Sequence, residues 1–480
     1  MKELANRALN LAQMKGATYA DIRVLHMESQ SIQVKNGVAE AISLGDTQGF
    51  GVRVIADGSW GFASSARLER GTVDHVAALA VDIAKASALV GNGGVELGPR
   101  ETHVDTYHTP FEVGPFQVPL DAKIDLLLLC DEAMRRTKGV AVAEGNMVFL
   151  RQDQLFASTE GSLIEQQITE TGVGLVATAV GEDEVQKRSY PNSFGRNQGT
   201  SGYEFVEKYD LPGNAERLGE EAVALLSARQ CPSAVTTLVL GPTQLALQVH
   251  ESCGHPTELD RALGTEASYA GTSFLTRDKL GSFRLGSDIV NITADATIPG
   301  GLGTFGYDDE GVPAQRTYLV KDGDFVGYLT SRETASLLGE RSNGTMRADG
   351  WANIPLIRMT NINLEPGDWD LEDLLADTGD GIYMEMNKSW SIDDKRLNFQ
   401  FGTEIAYEIK KGKRGDLLKN ATYAGLTPQF WASCDAICND EYWEVWGTPN
   451  CGKGQPSQVA HVGHGTSTAR FRDVRVGVMK

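Results

Sequence analysis

Basic residues are under-represented in this 480-residue chain: 44 Lys and Arg stand against 64 Asp and Glu, a formal net charge of −20. A field of that sign repels phosphate backbones and anionic headgroups, so neither nucleic acid nor a membrane surface is expected as a partner. Cysteine is sparse too. The six residues, at 130, 231, 253, 434, 438 and 451, form no disulfide framework and are expected as thiols. Long apolar runs are missing, since every window of about 20 residues contains charge or Gly and Pro punctuation, and no membrane-spanning helix is expected. The opening MKELANRALNLAQMKGA has neither an apolar signal core nor a small-residue cleavage site, so the expected location is the cytoplasm.

Glycine is abundant, with 53 residues, an excess that implies tight turns and many short strands. Hydrophobic residues at 41% and charged residues at 22% are globular values, and the length suits two or three domains. Leu4, Ala8, Leu11 and Ala12 share a helical face, and Gly16 follows as a cap. Alternation then takes over, with Asn36-Gly37 and Asp57-Gly58 as hairpin turns, which reads as a helix followed by four short strands. A second pass repeats the order: a helix over 121–139, then alternating residues over 140–181 with turn signals at Glu144-Gly145 and Glu160-Gly161. Between the passes, residues 95–120 hold four of the sixteen prolines and no periodicity, as a connector would.

The expected fold is therefore α+β. An N-terminal domain over 1–225 consists of two diverged helix-plus-antiparallel-meander units, about 1–90 and 120–185. A strand-rich C-terminal domain over 226–480 carries the chemistry. Within it, Asp308-Asp309-Glu310 lacks the oxygen spacing of a calcium loop and is expected as a solvated turn.

A strand over 235–240 is followed by Pro242, which opens a helix running into His250-Glu251-Ser252-Cys253-Gly254-His255, an HExxxH pattern. Two His at i and i+4 lie about 40° apart on a helix and can share a metal, whereas i and i+5 lie about 140° apart. A π-bulge, or a helix end at Gly254, would swing His255 back, so a widened turn is expected within 250–255. Neutral imidazoles bind Zn²⁺, and a carboxylate beside the first ligand can take the proton of an activated water; Glu251 is so placed. The third donor stays open. Cys451 is attractive because turn residues surround it and would present its thiolate at a loop tip. His461 and His464 are rivals, Glu258 suits a role orienting a ligand imidazole, and Cys253, Cys434 and Cys438 read as core thiols.

HESCGH, GVRVIADGSWGFASS at 51–65, the ELDR segment after His255, TFGYDDEGVPAQRTYLVKDG at 304–323, RADGWANIPLIRMTNI at 347–362, LLKNATYAGLTPQFWASCDAICN at 417–439 and CGKGQP at 451–456 occur in one order along the chain. Together they resemble the TldD/PmbA family, formerly described as modulators of DNA gyrase, and in particular its metal-binding TldD-type branch. The resemblance implies a zinc-dependent peptidase acting on short or unfolded peptides, with His250, His255 and Cys451 as metal ligands and Glu251 as general base. It also implies a partner, either a PmbA/TldE-type chain in a heterodimer or a second copy. An extended peptide would add to a sheet edge, with Trp351, Phe430, Trp431, Tyr442, Trp443 and Trp446 as candidates for the groove or for the core. His464, Tyr307, Arg347 and Arg358 are candidates to stabilise the oxyanion. The alternatives are a non-catalytic regulatory protein with a structural metal, and a hydrolase of non-peptide amides.

Overall fold

Alternation in the first 65 residues produces a meander: α1 (Lys2–Met14) leads into β1 (Tyr19–Lys35), β2 (Val38–Ala56) and β3 (Ser59–Ser65), over which α2 (Arg70–Ala88) packs. Both hairpin turns have left-handed centres, Asn36 and Gly37 at φ +48° and +84° and Asp57 and Gly58 at +51° and +77°, the geometry whose twist matches that of paired strands. In this computed structural model, residues 1–91 and 94–477 are described. After β4 (Val104–His108), the order recurs as α3 (Leu120–Arg136), β5 (Val140–Ser158), β6 (Leu163–Val180) and β7 (Val185–Tyr190).

β1 pairs antiparallel with β5 from Asp21↔Ser158 to Lys35↔Glu144. The two hairpins thereby merge into one eight-stranded sheet, ordered β3-β2-β1-β5-β6-β4, with β7 and β8 (Asn197–Gly199) also on β6. Helices α1 and α2 close a core around Ile22, Val24, Val52 and Val54. Residues of α3, of α4 (Glu204–Lys208) and of α5 (Leu211–Ser227) close a second around Met147, Phe149 and Leu175.

Four expectations are corrected here. The four short strands are three, two of them 17 and 19 residues long, and Glu144-Gly145 lies inside β5 rather than at a turn. Glycine in these strands serves close approach: a Cβ at Gly49 would meet the Trp351 ring at 2.3 Å, and no other residue leaves that space. The connector is not without structure, because β4 pairs parallel with β6. Asp308-Asp309-Glu310 is buried, not solvated. Asp308 accepts the Glu310, Val312 and Met346 amides. Asp309 accepts the Ala348 amide and the Gln154 side chain, and Glu310 accepts the Arg332 amide and Arg53. Arg53 also binds Asp21 at 2.7 Å, so this loop fastens the first sheet to the second half of the chain.

That half is organised around a closed ring of strands. β10 (Ala234–Leu240, after the short β9, Arg229–Gln230) pairs with Gly381–Ile392 and with Ala469–Val476. Asn398–Lys410 and Thr422–Leu426 complete the circle. Its core holds Leu238, Met384, Phe401, Tyr423, Trp431 and Phe471. The hairpin of Glu444–Lys453 with Gln458–Thr466 stands apart as a two-stranded sheet. Among the described residues no helix is long and apolar enough to cross a membrane.

Candidate metal centre

Gly241 and Pro242 start α6 (Pro242–Val249) directly after β10, proline suiting a first helical turn whose amide has no partner. Buried polar groups seat it. The Tyr423 hydroxyl accepts from Gln244 and donates to Gln248, while Ser252 Oγ accepts from Trp431 Nε1 at 2.9 Å. With these bonds made, α6 is fixed in rotation against the ring of strands, and the end carrying the histidines is fixed with it.

The widened turn is present. His250–Gly254 forms one π-helical turn and His255–Thr257 a 3₁₀ turn, so both imidazoles face one way with centroids 4.8 Å apart. Gly254 is not the point of departure, since its φ of −69° is ordinary right-handed backbone; it is small because a Cβ there would meet Met359 Sδ at 2.2 Å. Cys451 reaches the pair from the hairpin, its Sγ 3.7 Å from His255 Nε2. It lies within a strand rather than at the expected loop tip, just past a register shift between Thr448 and Cys451 that re-aims the side chain. One ligand atom each from His250, His255 and Cys451 lies within 4.8 Å of the others, and all three residues are buried.

Hydrogen bonding orients both rings. His464 Nδ1 lies 3.1 Å from the Ile362 carbonyl, which can only accept, so His464 carries its proton there and its Nε2 accepts from His250 Nδ1 at 2.8 Å. His255 Nδ1 donates to Glu258 at 3.0 Å. Each ligand-candidate ring thus turns a lone pair on Nε2 towards the shared space. Burial pulls both histidines below the usual imidazole range and keeps them neutral. Burial alone would push the Cys451 thiol up, but the charges around it, Arg358 among them, hold it below its ordinary value, favouring the thiolate. Two neutral imidazoles and a thiolate form a set that suits zinc.

Glu258 is fully buried, near Lys453 at 3.3 Å and Arg261 at 3.6 Å. Glu251 pairs with Arg396 from the turn after Gly381–Ile392. A cavity of about 510 Å³ opens onto His250, Glu251, His255 and Cys451; Gln33, Asn146, Phe194 and Arg196 come from the first half of the chain, and Trp390 and Arg396 from the second. The aromatic candidates are not among its walls: Phe430 and Trp431 lie in the core. Tyr307, Arg347, Arg358 and His464 do not line it either. Arg358 binds the Cys451 carbonyl from behind, and Tyr307 binds Asp105. Sequence reasoning missed Arg196 and Arg396. No local signal marks them, because they meet only through the tertiary fold.

The profile of the PmbA/TldA metallopeptidase C-terminal domain matches residues 233–478, and those of domain 1 and the central domain match 20–84 and 114–230. The chain belongs to the PmbA/TldD metallopeptidase family. It is 31% identical, over 94% of its own length and 95% of the relative's, to a metalloprotease of Methanocaldococcus jannaschii. It is 21% identical, over 97% and 98%, to a zinc metalloprotease TldD homolog of Saccharolobus solfataricus. TldE from Thermococcus kodakarensis shares the fold, with a TM-score of 0.74 at 16% identity over 99% of this chain and 100% of that one. As a PmbA/TldD member, the chain is an enzyme of the metallopeptidase class.

Proposed function

We propose that this metallopeptidase is zinc-dependent and hydrolyses short or unfolded peptides, with His250, His255 and Cys451 as metal ligands and Glu251 as general base. The observation that carries the reading is the convergence of three donors on one point in the wall of a cavity, with each imidazole's second nitrogen bonded. Zinc, when bound, supplies Lewis acidity that lowers the pKa of water and polarises a peptide carbonyl. Glu251 takes the proton of the attacking water on its carboxylate and returns it to the leaving amine. Arg396 holds that carboxylate in place, and Glu258 and His464 hold the imidazoles.

Folded substrates do not fit a cavity of this size, while an extended segment does. The name of the Saccharolobus relative supports zinc. The solved TldE fold supports pairing with a PmbA/TldE-type chain, with a homodimer as the other form. Six unpaired, buried cysteines suit a reducing cytoplasm. The test is metal analysis beside hydrolysis of a casein-derived peptide mixture: Glu251→Gln keeps metal and loses activity, and Cys451→Ser loses both. Activity surviving in Glu251→Gln would remove the general base from this account and favour a structural metal.

A further inference from the structure

Two arginines in the cavity wall have charge to spare. Arg196 and Arg396 line the same cavity, in which Glu251 is the single carboxylate among the described residues, although the chain as a whole carries a net charge of −20. The Nε of each is buried without a hydrogen-bond partner among the described residues. Arg396 spends one nitrogen on Glu251. Arg196 makes no ion pair among the described residues; the carboxylate whose charge offsets its burial, Glu170, bonds His461 at 2.6 Å and Gln198 at 2.7 Å, both through Oε2.

A half-buried guanidinium loses part of its hydration without gaining an anion, and one in a cavity wall is matched to an anion arriving with the ligand. The fork of N–H donors fits a carboxylate better than any neutral peptide group. Resting on the peptidase reading above, we infer that Arg196, with Arg396, forms a subsite for a substrate carboxylate, so that the preferred peptides place a C-terminal carboxylate or an acidic side chain beside the metal centre.

Paired peptides of one sequence test this. One pair ends in a free carboxylate or an amide; a second, amidated throughout, has Glu or Gln two residues from the cleaved bond. With the zinc-loaded full chain, the acidic member of one pair has a kcat/KM about tenfold higher, carried by KM. The pair that shows the preference identifies the source of the carboxylate. The ratio falls towards one in Arg196→Gln and recovers in part in Arg196→Lys. Binding to the metal-free full chain, read by fluorescence of Trp390 in the cavity wall, follows the same order and does not depend on turnover. Equal handling of both pairs, or a preference unchanged in both Arg196→Gln and Arg396→Gln, would overturn the subsite. Peptides that bind with this preference and are never cleaved would instead strike the peptidase reading.

Discussion

Charge is buried twice in this molecule, and the two places end differently. At the junction of the halves, Arg53 is held by Asp21 and Glu310, while Asp308, Asp309 and Glu310 accept five backbone amides, from Glu310, Val312, Met346, Ala348 and Arg332. That cluster closes on itself and joins one sheet to the other half. In the wall of the metal-centre cavity, Arg196 and Arg396 keep Nε groups with no partner among the described residues, and Cys451 leans towards thiolate. The first arrangement is a fastening, and the second leaves bonding capacity for something that arrives. Unsatisfied polarity in a concave place therefore identifies function better than the amount of buried charge does.

Four measurements bear on that contrast. The largest effect is expected for Glu251→Gln, which lowers kcat by about 10²–10⁴-fold with bound metal per chain unchanged, read by initial rates beside elemental analysis. Next comes Arg53→Met. Removing one partner from the closed cluster leaves Asp21 and Glu310 as buried charges, so the free energy of unfolding drops by about 3–5 kcal/mol in denaturant titration; a change under 1 kcal/mol would erase the distinction. If the proposed zinc site is right, His464→Gln disturbs the bond that orients His250 and weakens metal binding by about 10–100-fold in chelator competition, with little change in melting temperature of the metal-free chain. The smallest effect belongs to Arg196→Gln, which shifts unfolding by no more than about 0.5 kcal/mol, since Arg196 makes no described salt bridge and Glu170 keeps His461 and Gln198. A loss as large as that of Arg53→Met would place Arg196 among the fastenings.

Legibility along the sequence follows the range of the interactions involved. The helix into His250, the widened turn that brings His255 round, and the Asn-Gly and Asp-Gly hairpins are decided within a few residues, so periodicity and spacing expose them. Glycine misled at Gly145, read as a turn and lying inside a long strand, while the reason for Gly49 is Trp351, some three hundred residues away in the chain. Asp308-Asp309-Glu310 misled for the same reason, because acidic residues in a row are solvated unless remote amides and guanidiniums meet them.

By itself, the sequence determined the mixed helix-and-strand composition, the HExxxH turn, the family resemblance and the candidate donors, all of which depend on local geometry or on residue identity. Tertiary structure alone decided that Cys451 reaches His255 across 196 positions, that His464 stands behind His250, and that Arg196 and Arg396 face one cavity. Those outcomes depend on how a hairpin, a helix and two sheets pack, and packing is settled by contacts whose partners lie too far apart in the chain for any spacing rule to register.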